Sequence, residues 1–323
     1  MTPAGQILAA EIRSRGPIPF SRFMEVALYH PEHGYYRGGR DPFGAQGDFY
    51  TAEQVQPVFG ILMRQYARQL RREYGGDGFR VVELGAGREE MAPFFAEFDY
   101  AAVDVERGAL PAAFRGLIFA NEFFDALPVD VFVRRGREFR ELRVNFDGLR
   151  FVWTECDPAP PEVEAYLAEF GGVVEEGEQR EVSLQALRWA DAIAEALAEG
   201  WLLVIDYGYT SREALRFPSG TLMGYRRHRA VEDVLEEPGR RDITAHVNFS
   251  ALQARLRMRG IEIERFETLA RTILRAGEED RFASALEAAD ETERIQRRLQ
   301  LKMLLYGMGE TFRTLLAARV GPK

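Results

Sequence analysis

A chain of 323 residues that is 46% hydrophobic and 29% charged can bury a sizeable core, in one large domain or two modest ones. Its 51 acidic against 42 basic side chains, with no long basic block, argue against general binding to nucleic acid or to an anionic membrane. The single cysteine, Cys156, excludes an internal disulfide framework, and neither a signal-peptide core nor a run of about 18 apolar residues occurs, so a soluble, cytoplasmic protein is expected.

Residues 5–30 read as two helices. In the second, Phe20, Phe23, Met24, Ala27 and Leu28 recur at spacings of three and four before Pro31 stops it, a stripe that suits internal burial or a homodimer face. A glycine-rich loop runs from Gly38 to Gly47. Residues 53–74 suit a long helix, with Val55, Val58, Phe59, Leu62, Met63, Tyr66 and Leu70 on one stripe and Gly75-Gly76 at its end. From Phe79 the pattern becomes a short apolar strand, a glycine turn and a helix over 89–98. Further apolar strands at 101–105, 116–122 and 201–208 end in polar residues, as buried parallel strands do at a ligand-facing carboxyl edge; Asp104 and Glu106, at the end of the first of these, are candidate cofactor-binding residues. Residues 139–155 alternate around Asp147-Gly148 as a β-hairpin, and helices are expected over 161–170 and 182–200. A strand at 261–268, a charged helix over 279–305 and a strand near 311–320 complete an α/β reading.

Three constellations carry chemistry. In Glu83-Leu84-Gly85-Ala86-Gly87-Arg88 the absent side chains let a ligand approach the backbone, and a following helix would offer free N–H groups to a carboxylate. A dinucleotide fingerprint wants glycine where Glu90 stands, and Glu89 beside it would repel a pyrophosphate, so a nicotinamide-dependent dehydrogenase is disfavoured and a phosphate-free cofactor is not. Asn121-Glu122-Phe123-Phe124-Asp125 follows a strand; convergent carboxylates there hold a guanidinium or orient an amine, or else they cap a helix. Asp242, Thr244, His246 and Asn248 form a dense polar set that orients a substrate, relays a proton, or caps the next helix. The histidines, His30, His33, His228 and His246, lack metal-ligand spacing, so no metal is expected.

Taken in order, F-x-x-F-M-E-V-A-L-Y-H-P-E-H-G-Y-Y (20–36), G-D-F-Y-T-A-E (47–53), V-F-G (58–60), E-L-G-A-G-R (83–88), A-N-E-F-F-D-A-L-P-V (120–129), I-D-Y-G (205–208), G-T-L-M-G-Y-R-R-H (220–228), D-I-T-A-H-V-N-F-S-A-L (242–252) and M-G-E-T-F (308–312) resemble the MidA/NDUFAF7 family of S-adenosylmethionine-dependent methyltransferases. The resemblance spans most of the chain. It implies a class I methyltransferase, with a Rossmann-like sheet, S-adenosyl-L-methionine as cofactor and a protein substrate carrying an arginine. It implies a helical lobe over 1–75 and an α/β domain over 76–323, with an inserted β-hairpin and helical region at about 130–195.

By the same resemblance Gly47, Asp48 and Thr51 form a loop over the methionine end of the cofactor, and Glu83, Gly85 and Gly87 its binding turn. Asn121, Glu122 and Asp125 stand between cofactor and acceptor, and Asp242, His246 and Asn248 lie near the acceptor. Glu122 is the first candidate for catalysis, with Asp125 and His246 next. Two departures stand out. Glu89 occupies a position where the family has glycine and is expected to crowd the cofactor carboxylate. Only 33 residues separate Gly87 from Asn121, too few for the usual elements, so the third strand and its preceding helix are expected to be missing and the adenine side left open. The shortened sheet keeps an alternative alive, a non-catalytic member acting as an assembly or interaction factor.

Overall fold

The computed structural model describes residues 1–37, 56–105, 107–226, 229–231 and 233–321; Gly47, Asp48, Thr51 and Glu106 lie outside the described residues. The first part of the chain forms α1 (Pro3–Arg15), α2 (Phe20–Tyr29), α3 (Val58–Tyr74), β1 (Arg80–Leu84), α4 (Ala92–Phe95), β2 (Asp99–Val103) and β3 (Phe114–Asn121). The middle forms β4 (Asp130–Arg135), β5 (Glu138–Phe146), β6 (Phe151–Pro158), α5 (Pro161–Phe170), β7 (Gln179–Val182), α6 (Leu184–Ala196) and β8 (Leu197–Tyr209). Then come β9 (Met223–Arg226), β10 (Arg229–Val231), β11 (Asp242–Thr244), β12 (Val247–Asn248), α7 (Phe249–Met258), β13 (Glu262–Thr268), α8 (Leu269–Glu278), α9 (Ala283–Leu286), α10 (Glu291–Lys302), α11 (Met308–Thr311) and β14 (Phe312–Arg319).

Two compact units result, each discontinuous in sequence. Unit 1 is Met1–Tyr50, Asp125–Leu187 and Tyr209–Ala251; unit 2 is Thr51–Phe124, Arg188–Gly208 and Leu252–Lys323. This replaces the linear division at residue 75. The stripe of α3 is buried with Val81, Phe119, Leu203 and Phe312 of unit 2, whereas α1 and α2 share a core with the inserted region.

In unit 2 six strands run in the order β13-β14-β8-β3-β1-β2. β1 is parallel to β2 and β3, β3 is parallel to β8, and β14 is antiparallel to β8 and β13. Leu117, Ile118, Phe119 and Ala120 of β3 are buried in succession, the pattern of a strand covered on both faces. Each large apolar side chain so buried contributes about 1.5–3 kcal/mol.

The expected gap is real: β2 is the edge of this path, and among the described residues between β2 and β3 there is neither helix nor strand. The helix expected over 89–98 shrinks to the four residues of α4. The glycine turn and a left-handed Glu89 (φ 60°) use up 85–91, and Phe95 and Phe98 are buried before the chain returns at Asp99. The helix expected to reach Gly200 stops at Ala196, where β8 begins. The charged helix over 279–305 starts late and is divided: positive φ at Arg281 and Phe282 (55° and 64°), with the Phe282 amide turned back to the Gly277 carbonyl at 2.9 Å, delays its start to Ala283, and extended backbone at Glu287 and Asp290 separates α9 from α10.

Unit 1 is built on a four-stranded antiparallel sheet, β6-β5-β4-β7, so the expected hairpin is its β5–β6 half. A three-stranded sheet, β10-β9-β11, completes it. Phe20, Phe23, Met24, Ala27 and Leu28 of α2 are buried with Val131, Val144 and Phe151, and Phe23 meets Phe151 edge-on at 5.4 Å. That stripe is therefore spent inside unit 1 and offers no face for a homodimer. Among the described residues no helix is long and apolar enough to cross a membrane.

Candidate active site

Strand register lines up the residues of interest in unit 2. Leu84 of β1 sits beside Val103 of β2 and Ala120 of β3, and Asn121 beside Ile205 of β8. The residues that follow these positions, Gly85, Asp104, Glu122 and Asp206, thus share the carboxyl edge of the parallel strands, where open α/β sheets bind ligands.

At β1 the Glu83 carboxyl is buried, and its Oε2 accepts a hydrogen bond from the Tyr100 hydroxyl at 2.6 Å. Burial pushes its pKa up to about 7; Tyr100 and Arg107 oppose the rise, while the charges of Glu89 and Asp104 add to it. Gly85 has φ 67°, and a Cβ there would come within 2.9 Å of the Phe123 ring, so this turn requires glycine. The Gly87 amide donates to Asp104 Oδ2 at 2.7 Å, and Asp104 Oδ1 accepts from the Val105 amide at 2.6 Å. The turn therefore does not open a helix with free N–H groups: Gly87 is already paired, and α4 starts only at Ala92. Glu89, expected to crowd the ligand, instead pairs with Arg107 Nη1 at 2.8 Å.

At the end of β3 the Asn121 side-chain amide donates to Glu122 Oε1 at 3.3 Å. The Glu122 amide donates to the Ile205 carbonyl at 2.9 Å, and its backbone is left-handed (φ 49°). No helix follows, so the helix-capping alternative for Glu122 and Asp125 is not realised. Asp206 is wholly buried and accepts from the Phe124 amide at 2.9 Å, which pins the loop after Glu122.

Unit 1 gathers the remaining candidates. Asp125 is buried, and its carbonyl accepts from the Ala245 amide at 3.0 Å. The Tyr29 hydroxyl donates to the Ala126 carbonyl and the Tyr36 hydroxyl to Asp242 Oδ1, both at 2.7 Å, with the two rings stacked at 5.6 Å. The His246 amide donates to Thr221 Oγ1 at 3.0 Å, and Thr221 is in turn held by its amide and hydroxyl on the buried Glu181 carboxylate, at 2.6 and 3.1 Å. Burial lowers the His246 pKa. Asn248 is a helix cap: its Oδ1 accepts from the Ala251 amide at 3.2 Å, and its Nδ2 donates to the Phe170 carbonyl.

Glu83, Gly85, Gly87, Asp104, Asn121 and Glu122 thus meet along one edge of unit 2, and Asp125, Asp242 and His246 fall in unit 1. Sequence reasoning missed Tyr29, Tyr36, Tyr100, Arg107 and Asp206 as site residues. Asp206 had a usable signal, an acid closing the apolar run WLLVI; the others depend on partners chosen by strand register or by the loops. Among the described residues no group of three or more His, Cys, Asp or Glu is arranged to hold a metal.

Comparison with known proteins identifies the chemistry. Residues 96–266 match the model of a family described as "Putative S-adenosyl-L-methionine-dependent methyltransferase". The protein arginine methyltransferase NDUFAF7 homolog, mitochondrial, of Drosophila melanogaster is 27% identical over 324 residues, covering 78% of this chain and 70% of its own. Its Homo sapiens counterpart is 26% identical over 326 residues, covering 78% and 68%. A Burkholderia thailandensis protein solved with S-adenosyl-homocysteine superposes with a TM-score of 0.88 at 32% identity, over 98% of this chain and 92% of that one. The cytoplasmic expectation does not stand, because these curated relatives are named as mitochondrial. Low cysteine content fits any compartment that does not rely on disulfides. The family match over more than half the chain, together with the superposition, makes this chain a member of that S-adenosyl-L-methionine-dependent methyltransferase family.

Proposed function

We propose that this methyltransferase acts on an arginine side chain of a protein. The observation that carries the reading is the placement of Asn121 and Glu122 at the carboxyl end of β3, directly beside the β1 turn that bears Gly85 and Gly87. The names of the relatives, protein arginine methyltransferases, support it, and a net charge of −9 suits a cationic acceptor.

The side chains present fit the cofactor. Asp104, at the end of β2, would accept ribose hydroxyls, as an acid does at that position in dinucleotide folds. Glu83 would serve the ammonium end, and glycine at 85 and 87 lets the ligand approach the backbone. Gly47, Asp48, Thr51 and Glu106 belong to the same reading, outside the described residues. The cofactor supplies an electrophilic methyl on its sulfonium. Glu122 would accept hydrogen bonds from the guanidinium, draw its charge onto the nitrogens it binds and leave the remaining nitrogen with a lone pair for in-line attack. Alignment of this kind provides most of the acceleration. The displaced proton then passes to a base, for which Asp125 and His246 are the candidates; the lowered pKa keeps the His246 imidazole neutral at pH 7 and able to accept it.

Incubation with methyl-labelled cofactor and arginine-containing proteins tests this. Transfer to arginine is expected, and Glu122→Gln should reduce it at least ~100-fold while affinity for S-adenosylhomocysteine stays within about threefold. Label on another side chain, or full activity in Glu122→Gln, would overturn the reading.

A further inference from the structure

We propose that Arg107 is a positioning residue for the cofactor turn, clasping Gly87 and Glu89 to the end of β2 in the place left by the missing third strand; this rests on the cofactor reading above. Beyond β2 the chain turns back at Asp104, Arg107 and Gly108. Asp104 and Arg107 exchange backbone hydrogen bonds of 2.8 and 3.0 Å, and at Gly108 (φ 68°) a Cβ would lie 2.4 Å from the Ala102 carbonyl oxygen, so only glycine lets the chain turn this tightly. The return brings the Arg107 guanidinium to the turn of β1, where Nη2 donates to the Gly87 carbonyl at 2.9 Å and Nη1 lies 2.8 Å from Glu89 Oε1. Asp104 closes the ring from the other side by accepting the Gly87 amide.

Glu89 explains why a clasp is needed. Its φ of 60° is a conformation that glycine takes freely and a glutamate keeps only when its surroundings hold it. The ion pair to Arg107 ties that side chain down and turns it to a partner of its own chain. In a complete sheet a further strand and helix would buttress this end. Here the buttress is one planar guanidinium that spans two groups, a geometry lysine cannot copy. Both partners are partly exposed, 46% and 41%, so the grip is modest and weakens with salt.

The test measures S-adenosylhomocysteine affinity by calorimetry and amide hydrogen exchange over 85–92 in the wild-type chain, Arg107→Ala, Arg107→Lys, Glu89→Gly and the Glu89→Gly/Arg107→Ala double variant. Arg107→Ala should weaken binding about five- to tenfold and speed exchange, with Arg107→Lys recovering only part. Glu89→Gly should cost little alone and should restore most of the affinity and protection to Arg107→Ala, because glycine no longer needs the clasp. Unchanged affinity and exchange in Arg107→Ala, or losses that simply add in the double variant, overturn the proposal. If the wild-type chain binds no S-adenosylhomocysteine, the cofactor reading falls, and the exchange rates still decide whether Arg107 holds the turn.

Discussion

In unit 2 the Tyr100 hydroxyl donates to Glu83 at 2.6 Å; in unit 1 the Tyr36 hydroxyl donates to Asp242 at 2.7 Å. The bonds are nearly the same, and the settings are not. Tyr100 lies on the edge strand β2, only partly buried, and the Glu83 carboxyl is pushed up to about 7 first by its own burial, with the charges of Glu89, Asp104 and Arg107 adding smaller effects. Asp242 is 1% exposed, and burial, followed by the charges of Asp242, Tyr29 and Asp125, pushes Tyr36 well above its ordinary value. Tyr36 therefore stays a proton donor at any physiological pH. Burial acts first in both pairs; it brings the Glu83 carboxyl to a pKa near neutrality, where it changes charge, and holds the Tyr36 hydroxyl as a fixed donor to Asp242.

Asp242→Ala should have the largest effect, removing the acceptor of a buried hydroxyl and destabilising the fold by about 2–3 kcal/mol in denaturant unfolding, with Asp242→Asn costing less. A loss below about 0.5 kcal/mol would mean that this pair is no strut. Glu83→Gln sharpens the other half of the comparison. The folded-state pKa is raised above its ordinary 4.5, so the native state holds the proton more tightly and stability falls as pH rises from about 4.5 to about 7. The fall amounts to at most about 3 kcal/mol, and Glu83→Gln should flatten it; an unchanged slope between pH 5 and 7.5 would place its source elsewhere. Tyr100→Phe should act least. Because the hydroxyl favours ionised Glu83, its removal should move the midpoint of that pH dependence upward, and a downward move would show that it favours the protonated form.

The parallel half of the sheet was legible in the sequence because strands buried on both faces need continuous apolar runs, as in β1, β3 and β8. The missing strand was legible by counting alone, since 104–113 cannot hold a helix and a strand. The helix at 89–98 and the undivided helix at 279–305 were misread. The late starts of both trace to positive φ at non-glycine residues, Glu89, Arg281 and Phe282, and the break in the second to extended backbone at Glu287 and Asp290; none of these carries a composition signal. Strands β4 and β7 also went unread. They are short, and they pair with each other across more than forty residues of chain. Of the candidate site, Glu83, Gly85, Gly87, Asp104 and Glu122 stand out in the sequence because they lie at or just after the ends of apolar strands. Tyr36 does not, since its partner Asp242 lies 206 residues away.

The sequence by itself determined the α/β class, the methyltransferase resemblance, the shortened sheet and the acidic residues at the strand ends. Those follow from local periodicity, motif order and chain length, which are properties of neighbours along the chain. Only the tertiary structure decided that Arg107 reaches the Gly87 carbonyl in the turn after β1, that Glu89 faces that arginine, and that α3 belongs with the sheet while α1 and α2 belong with the insertion. Each depends on which distant groups share a low-dielectric or close-packed space, and that is decided by strand register and burial rather than by local composition.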